Sequence, residues 1–417
     1  MPQHSRALCL FRRLPAAPLL ATLLAQVAAC DRQPLGGRAT TGADAAPDTN
    51  PAFLVAAREP GDPLPFLTLG QRALFERGRG VFQTEFTPAT GLGPLFNNTA
   101  CSQCHEDPVV GAGGEEVETH QAAFHYGACD DLSAIGGPVI QDSVTAALHT
   151  ALGIGKEPPL PEATGTAHRT TPSLLGFGLL EAVPEAEILA FADPFDRNGD
   201  GVSGRPNRTA DGRLGRFGRK AQFATLREFN AGAFANEMGI TSPDEPSEAT
   251  IRGHPFPAGV DPTPEPELTR EATDAATAFV QLLAPPAPLP RTVVEQRGGF
   301  VFLGLGCASC HVPVLVTGPN RVSALSLKIV QPYSDLLLHD LGPDLADICL
   351  ARARPAEFRT EPLMGLRFKT AYLHDGRAAS IDEAIQAHGG EAARARGRFL
   401  RLSPADRDAL VRFLKGL

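Results

Sequence analysis

Apolar residues recur at intervals of three and four in several stretches of the chain, as Leu410, Phe413 and Leu414 do near its end. This spacing places them on one face of an α-helix. Few stretches alternate between apolar and polar residues as a half-buried strand does. We therefore expect a mostly α fold. The predicted helices cover residues 69–82, 180–192, 270–283, 291–303, 380–389 and 403–416.

Two parts of the chain share an order of motifs. Residues 76–82 (ERGRGVF) resemble 297–302 (RGGFVF), each at the end of a predicted helix, where small residues permit close backbone approach. The segment Arg-Thr-Thr-Pro at 169–172 is echoed by Arg-Thr-Glu-Pro at 359–362, and each precedes a further helical stretch. The shared order favours an internal duplication over chance similarity.

A proline-rich segment lies between the two copies of this motif order. Residues 283–290 (LAPPAPLP) predict a stiff, extended connector. Residues 30–60 are rich in Pro, Gly, Ala and Asp without an apolar period, which is typical of a flexible tether. We expect an N-terminal domain with inserted loops over residues 61–284 and a C-terminal domain over residues 285–417.

The first 29 residues have the features of an export signal. Arginines precede a short apolar run at 14–25, and Val27-Ala28-Ala29 stands before Cys30. These last four residues resemble a bacterial lipobox, which implies cleavage before Cys30 and its lipidation, and an ordinary secretory signal is the alternative. No other run approaches the ~20 apolar residues of a membrane span. We expect a periplasmic protein that a lipid anchor at Cys30 holds to a membrane.

Composition excludes other classes of protein. The 417 residues are 43% hydrophobic, which is too apolar for a disordered chain and sufficient for two cores. The net charge is −9, and there is no basic tract. Nucleic-acid binding therefore has no support.

The motif C-x-x-C-H occurs twice, at 101–105 and 307–311. It is the attachment pattern of c-type haem, in which two thiols on a short turn add to the vinyl groups and the next residue ligates iron. A zinc site or a redox-active C-x-x-C would not explain why His follows both motifs. We expect two covalent haem c groups. The residues are Cys101, Cys104, His105, Cys307, Cys310 and His311, with the two histidines on iron.

Two further cysteines, Cys129 and Cys349, lie outside these motifs. In an oxidising compartment they could form a disulfide. The sequence does not show whether they are close enough.

A short acidic segment resembles a calcium loop. Asp196, Asn198 and Asp200 stand at positions one, three and five, with Gly at position six, as in an EF-hand. The bidentate Glu at position twelve is missing, and Asn207 stands there. The alternative is an ordinary Asp/Gly turn.

Several segments together resemble the bacterial di-haem oxidoreductases, a family often labelled peroxidase or thiol oxidoreductase and distantly similar to di-haem cytochrome c peroxidases. The resemblance spans roughly residues 65–395. It implies two tandem cytochrome c-type domains, each with one covalent haem c, and redox work in the periplasm. Besides the haem motifs, the segments are 91–97 (GLGPLFN), 196–207, 215–218 (GRFG), 236–241 (NEMGIT), 333–340 (YSDLLLHD) and 373–377 (LHDGR).

The chain departs from this family at three positions. The family commonly has Trp where Arg219 and Met364 stand here, and Met where Leu341 stands. The distant peroxidases use a Trp between the haems for electron transfer. This chain contains no Trp, so that relay is in doubt.

In small cytochrome c modules, the sixth iron ligand comes from a loop well downstream of the attachment site. Here His168 precedes Arg169 in the first Arg-Thr-x-Pro loop, and Met364 follows the second. They are the predicted sixth ligands, although a surface histidine and a core methionine remain the plain alternatives. The competing histidines are His120, His125, His339 and His374.

Cleavage of the peroxide O–O bond needs an open iron position and a group that moves a proton between the oxygens. Glu181 lies where the distant peroxidases place their distal carboxylate region, and Glu185 is the second candidate. An exposed Glu on a helix is the ordinary alternative.

The resulting prediction is an exported di-haem cytochrome that acts as an oxidoreductase. The expected reaction is reduction of hydrogen peroxide with electrons from a small periplasmic protein. Two alternatives stay open: an electron carrier with two six-coordinate irons, and a thiol or sulfur-compound oxidoreductase.

Overall fold

The computed structural model describes residues 55–57 and 59–417, and two pairs of crossing helices organise this part of the chain. Helix α1 (Leu69–Phe82) packs across α7 (Arg270–Leu282). Helix α8 (Val293–Leu305) packs across α11 (Pro404–Lys415) in the same way. Both pairs join the first and last long helices of one copy of the duplicated motif order.

Each crossing is built on a glycine. A Cβ at Gly78 would lie 1.9 Å from the carbonyl oxygen of Ala275, and one at Gly298 would lie 2.0 Å from that of Ala409. No side chain fits at either point, so these glycines set the distance between the helices. Four residues after each glycine, a phenylalanine contacts a phenylalanine of the partner helix. The ring centroids are 5.0 Å apart for Phe82–Phe279 and 5.6 Å apart for Phe302–Phe413.

Side-chain caps explain where the long helices begin. The hydroxyl oxygens of Thr68 and Thr292 accept hydrogen bonds from the first-turn backbone of α1 and α8, and a Gln or Glu at the third position completes a capping box. Helix α6 (Leu226–Met238) begins in the same way at Thr225. The shorter helices are α2 (Cys101–Cys104), α3 (Ala146–Leu152), α4 (Phe177–Glu181), α5 (Glu185–Leu189), α9 (Ile381–Ala387) and α10 (Ala393–Phe399).

The helix predictions are confirmed except over 180–192, where Pro184 separates α4 from α5 because proline cannot continue a helix. Helices α2, α3, α6 and α10 were not predicted. The bounds of α1 coincide with the prediction, and the ends of the other confirmed helices differ from it by at most two residues, as fraying ends generally do.

The expectation of a mostly α fold is only partly correct, because short antiparallel strands connect the helices. Strand β2 (Val117–His125) pairs with β3 (Ala128–Asp130), β4 (Val139–Ile140) and β6 (Gly165–Thr170). Most strands are too short to give an alternating pattern. The remaining pairs are β1 (Leu95–Phe96) with β5 (Ser143–Val144), β7 (Leu315–Val316) with β8 (Ile329–Val330), and β9 (Leu338–Asp340) with β10 (Glu357–Arg359).

The proline-rich connector is extended, as predicted, but its first half, residues 283–286, is buried. Pro285 and Pro286 are buried, and Pro286 forms a β-bridge with Ala57. Val55 and Ala57 are buried in the same core. Residues 55–57 therefore belong to the folded part of the chain and not to the tether predicted over 30–60.

Cys129 and Cys349 form a disulfide, which settles the question that the sequence left open. Cys129 lies on β3, and Cys349 lies in the loop between β9 and β10. The bridge joins residues 220 positions apart, from the predicted N-terminal and C-terminal domains.

Replacing both cysteines by Ala should lower the free energy of unfolding by about 3 kcal/mol, because the closed loop restricts the unfolded chain. Thermal and guanidinium unfolding of the oxidised holoprotein would measure the loss. The single variant Cys129→Ala is the control for the packing of Cys349, which is buried. Equal stability of the wild type and the double variant, or two reactive thiols in the wild type, would contradict the assignment.

The predicted signal peptide over 1–29, Cys30 and nearly all of the tether lie outside the described residues. Over the described residues, no helix has both the length and the apolar character that a membrane span requires.

Candidate functional site

The second C-x-x-C-H motif forms a tight turn directly after α8. Gly306 ends that helix with φ of 90°, and Cys307, Cys310 and His311 follow. His311 donates a hydrogen bond from Nδ1 to the carbonyl oxygen of Tyr333 at 2.9 Å. This bond fixes the ring and leaves Nε2 available as a ligand. Burial lowers the pKa of His311 to about 4, so the ring is neutral, as iron ligation requires.

A cavity of about 410 Å³ opens beside this motif. Cys307, Cys310 and His311 form part of its wall. The apolar part of the wall comes from the helices and from a loop of the C-terminal half. It includes Phe302, Leu305, Leu366, Phe399, Leu410 and Leu414.

His388 lines the same cavity. It follows the last residue of α9 and donates from Nδ1 to the carbonyl oxygen of Ala384 at 2.7 Å, so that its Nε2 is also available. Repulsion from the protonated form of His388 contributes, after burial, to the lowered pKa of His311. Two neutral imidazoles with free Nε2 atoms face one cavity, which is a donor set suited to iron.

The chain after His388 turns back because of two glycines. Gly390 has φ of 51°, and a Cβ there would lie 2.1 Å from the carbonyl oxygen of Asp340. The turn places Glu391 against His339 at 2.8 Å and against the hydroxyl of Ser203 at 2.6 Å. The loop that carries His388 is therefore held by contacts on both sides.

Two of the competing histidines also line this cavity, but both have other partners. His339 contacts Asp335 through Nε2 and Glu391 through Nδ1, each at 2.8 Å. Although burial opposes it, hydrogen bonds to Asp335, Cys310 and Glu391 raise the pKa of His339 well above its usual range. His374 stacks on Phe358 with ring centroids 4.3 Å apart. Because both ring nitrogens of His339 contact carboxylates, neither is free to bind iron.

The first C-x-x-C-H motif forms the short helix α2 and the residue after it. His105 donates from Nδ1 to the carbonyl oxygen of Ala112 at 3.0 Å, as His311 does to Tyr333. The ring of Phe82 lies 5.8 Å from that of His105. A Cβ at Gly114 would lie 2.0 Å from the carbonyl oxygen of Cys104, so the returning chain can pass the motif only as glycine.

The thiols of both motifs are poor nucleophiles. Burial raises the pKa of Cys101, Cys104 and Cys307 to about 12. A redox-active C-x-x-C requires the opposite, a lowered pKa that maintains a thiolate. The microenvironment favours attachment of a cofactor over thiol–disulfide exchange.

A pair of carboxyl groups lies beside the first motif. Glu237, near the end of α6, accepts a hydrogen bond from the side-chain amide of Asn97 at 2.6 Å. Burial and then the negative charge of Glu118 raise the pKa of Glu237 well above its usual range, and the two carboxyl groups share a hydrogen bond. Glu118 in turn contacts Nε2 of His120 at 3.0 Å. The negative charge of Glu237 also contributes, after burial, to the raised pKa of Cys101 and Cys104, so this carboxyl pair lies close to the first motif.

The two predicted catalytic carboxylates have other partners. Glu181 accepts from the backbone nitrogen of Leu226 and from the side chain of Gln281, both at 2.7 Å, and so connects α4 to α6 and α7. Glu185 forms a salt bridge with Arg208 at 2.9 Å at the surface. Neither lines the cavity of the second motif.

The two predicted sixth ligands also lie elsewhere. His168 is exposed on β6, on the strand face opposite to the buried Arg169, and His125 is exposed as well. Met364 packs close to Gly176, whereas its neighbours Leu363 and Leu366 line the cavity beside the second motif. Neither His168 nor Met364 lines the cavity beside the second motif, and their role as iron ligands stays a prediction.

The predicted calcium loop is held by its own backbone. Oδ1 of Asp196 accepts from the backbone nitrogen of Gly201 at 3.1 Å, and Oδ1 of Asn198 accepts from that of Asp200 at 2.9 Å. Asp200 accepts from the backbone of Val202. Asn207 is buried and donates to the carbonyl oxygen of Lys220. These contacts are those of an Asp/Gly turn, and calcium here stays a prediction.

Sequence reasoning missed His388 and Glu237. His388 lies at the end of the predicted helix 380–389, directly before two glycines, which was a usable signal. Glu237 stands in the segment 236–241 that carries part of the family resemblance, but nothing local connects it to residue 101. Only the fold brings the end of α6 to the first motif, where the backbone nitrogen of Asn97 donates to the carbonyl oxygen of Glu237 at 2.7 Å.

These donor sets fit haem. Each motif offers two unpaired thiols and one histidine whose Nδ1 is already bonded to a carbonyl, and the second motif faces a cavity with another histidine across it. The class of protein defined by such a pair of sites is a two-haem redox protein.

The family assignment agrees with this class. Residues 162–417, more than half of the chain, match the family described as "Di-haem oxidoreductase, putative peroxidase". The chain belongs to this di-haem oxidoreductase family and is an oxidoreductase. Among curated proteins, none matches the sequence significantly.

The solved structures to which the chain is similar are distant from it. Hydrazine synthase of Kuenenia stuttgartiensis is 15% identical, with 93% of this chain and 100% of that chain covered and a TM-score of 0.35. A MauG-like protein associated with microbial copper homeostasis is 14% identical over 91% and 95%, with a TM-score of 0.38. The di-haem peroxidase BthA of Burkholderia thailandensis is 17% identical over 88% and 89%, with a TM-score of 0.38.

Proposed function

We propose that the protein is a peroxidase that reduces hydrogen peroxide at the first haem and stores electrons at the second. Both haems are held covalently, by Cys101 and Cys104 and by Cys307 and Cys310, with His105 and His311 on iron. The observation that carries the proposal is the difference between the two sites. A proton-holding carboxyl pair lies beside the first motif, and a second histidine faces the other.

At the second site, His311 and His388 would hold the haem iron through their free Nε2 atoms. A bound haem supplies one-electron redox chemistry there, and two imidazole ligands give it a low potential relative to a His/Met pair. Both imidazoles are fixed through Nδ1 to backbone carbonyls, so little rearrangement accompanies a change of charge. A haem held by both histidines would suit electron storage rather than substrate binding.

At the first site, Glu237 takes the role of the proton-transferring group. Reduction of one peroxide to two waters consumes two electrons and two protons, and one of those protons must reach the departing oxygen. Burial and then the negative charge of Glu118 raise the pKa of Glu237 well above its usual range, so this carboxyl group keeps a proton to higher pH than an ordinary glutamate does. Asn97 fixes its carboxyl group.

The alternatives receive less support from the same residues. An electron carrier would need a sixth ligand at both irons, and His168, the ligand predicted for the first, is exposed on the sheet. A reaction that uses the motif thiols would need a thiolate, which burial of Cys101 and Cys104 opposes. Oxidation of a sulfur compound at the first haem remains a second function for this scaffold, and its test is turnover with thiosulfate.

The purified holoprotein tests the proposal directly. We expect two haems per chain by pyridine haemochrome assay, one low-spin signal that persists in all redox states, and one high-spin signal after half-reduction. Turnover with hydrogen peroxide and a reduced small cytochrome should exceed turnover with thiosulfate or glutathione. Two low-spin haems in every redox state, without peroxide turnover, would favour the carrier.

We further propose that the protein acts in the periplasm, attached to a membrane through lipidated Cys30. The support comes from the lipobox-like segment before Cys30 and from a disulfide that requires an oxidising compartment. Mass spectrometry of the N-terminal peptide, compared between wild type and Cys30→Ala, tests the anchor.

A calcium ion at Asp196, Asn198 and Asp200 is a separate proposal, tested by metal analysis of the purified protein.

A further inference from the structure

One end of the cavity beside the second C-x-x-C-H motif carries an unusual set of charges. The side chains of Arg219, Arg359 and Lys369 surround the single carboxylate of Glu361, at 3.0, 2.9 and 3.7 Å respectively. All four residues line the cavity. Three cations therefore share one anion at this end.

These cations are withdrawn from solvent. The side chain of Arg359 is 2% exposed, that of Arg219 is 9% exposed and that of Lys369 is 20% exposed. Nε of Arg219 is buried without a hydrogen-bond partner. Buried charges require compensation, so this group lacks negative charge.

The wall as a whole has the same imbalance. Six Arg and Lys side chains line the cavity, against three Asp and Glu side chains. One of those three, Glu391, is already paired with His339 at 2.8 Å. An occupant with about two negative charges, placed toward Glu361, would balance the site.

We propose that Arg219, Arg359 and Lys369 bind the two propionate carboxylates of the second haem. The inference rests on the proposed function, since it requires that haem in this cavity. A haem carries two propionates, which matches the missing charge, and arginine binds carboxylates through paired N–H groups.

Arg219 belongs to the predicted N-terminal domain, whereas the cavity that it lines lies beside the second motif. It lies between α5 and α6 in sequence, and its Nη2 donates to the carbonyl oxygen of Thr170 at 2.8 Å, in the first Arg-Thr-x-Pro loop. Arg219 thus connects the N-terminal domain to the second haem site. It stands where the family resemblance implies a Trp, so a charged contact replaces an aromatic one at this point.

The expected consequence is electrostatic. Cations beside the propionates reduce the negative charge near iron, which favours the reduced state. Loss of one cation should lower the midpoint potential of the low-spin haem. The high-spin haem should change much less.

The experiment is spectroelectrochemical titration of the holoprotein with Arg219→Gln, Arg219→Lys and Lys369→Gln. Arg208→Gln is the matched control, since Arg208 forms a salt bridge with Glu185 and does not line the cavity. We expect lower potentials in Arg219→Gln and Lys369→Gln, near-recovery in Arg219→Lys, and no change in Arg208→Gln. Haem content is measured for each variant.

Unchanged potentials in both charge-removing variants, with two haems bound, would overturn the inference and leave the proposed function intact. If Arg219→Gln does not retain the second haem, Lys369→Gln decides. A wild-type potential that shifts on addition of phosphate would show that a free anion occupies this end, and would also overturn the assignment to propionates. A wild type without a low-spin haem would instead refute the proposed function.

Discussion

Replacing Glu237 by Gln is expected to lower the turnover number for hydrogen peroxide by about 100-fold or more, the effect of losing a positioned proton-transfer group. The amide has the same shape and can still accept from Asn97, but it cannot exchange a proton. Binding of the cofactors should be unaffected, because Glu237 supplies no ligand to either motif. Steady-state kinetics with a reduced cytochrome, together with haem content and the high-spin signal, would measure the effect.

The controls for this variant are Glu181→Gln and Glu185→Gln. The sequence points to these two residues, whereas the structure engages Glu181 with Leu226 and Gln281 and Glu185 with Arg208. We expect turnover within a few-fold of wild type in both. Wild-type turnover in Glu237→Gln, or a large loss in Glu181→Gln, would return the role to the carboxylate that the family resemblance suggests.

The contrast between Glu181 and Glu237 shows which features of the site local sequence patterns can predict. Local patterns predicted the helix spanning 69–82, the duplicated motif order and the C-x-x-C-H groups, because each depends on residues close in sequence. Glu237 reaches the first motif only because the end of α6 packs on the segment around Asn97, 140 residues away. No local pattern encodes such a contact.

The same reasoning explains why the sequence predicted neither the short strands nor the burial of the proline-rich connector. Strands of two or three residues, such as β1 and β9, carry no periodicity that could be recognised. The connector around Pro285 has the composition of an exposed linker, but Ala57 pairs with it and the core closes over both. Burial of a proline-rich segment depends on what packs against it, which is a tertiary property.

Replacing His388 should produce the largest spectroscopic change in the protein. If His388 holds the second iron as proposed, His388→Ala removes that ligand, so the low-spin signal should be replaced by a high-spin one. Peroxide turnover should fall as well, because the stored electron is no longer held at a suitable potential. In His388→Met the signal should stay low-spin while the midpoint potential rises, since axial ligands set haem potentials over a range of about 0.8 V. Met364→Ala is the matched control, because Met364 was the ligand suggested by the sequence and lies outside the cavity wall. Electron paramagnetic resonance and redox titration decide between the two: an unchanged low-spin signal in His388→Ala with loss of that signal in Met364→Ala would reverse the assignment.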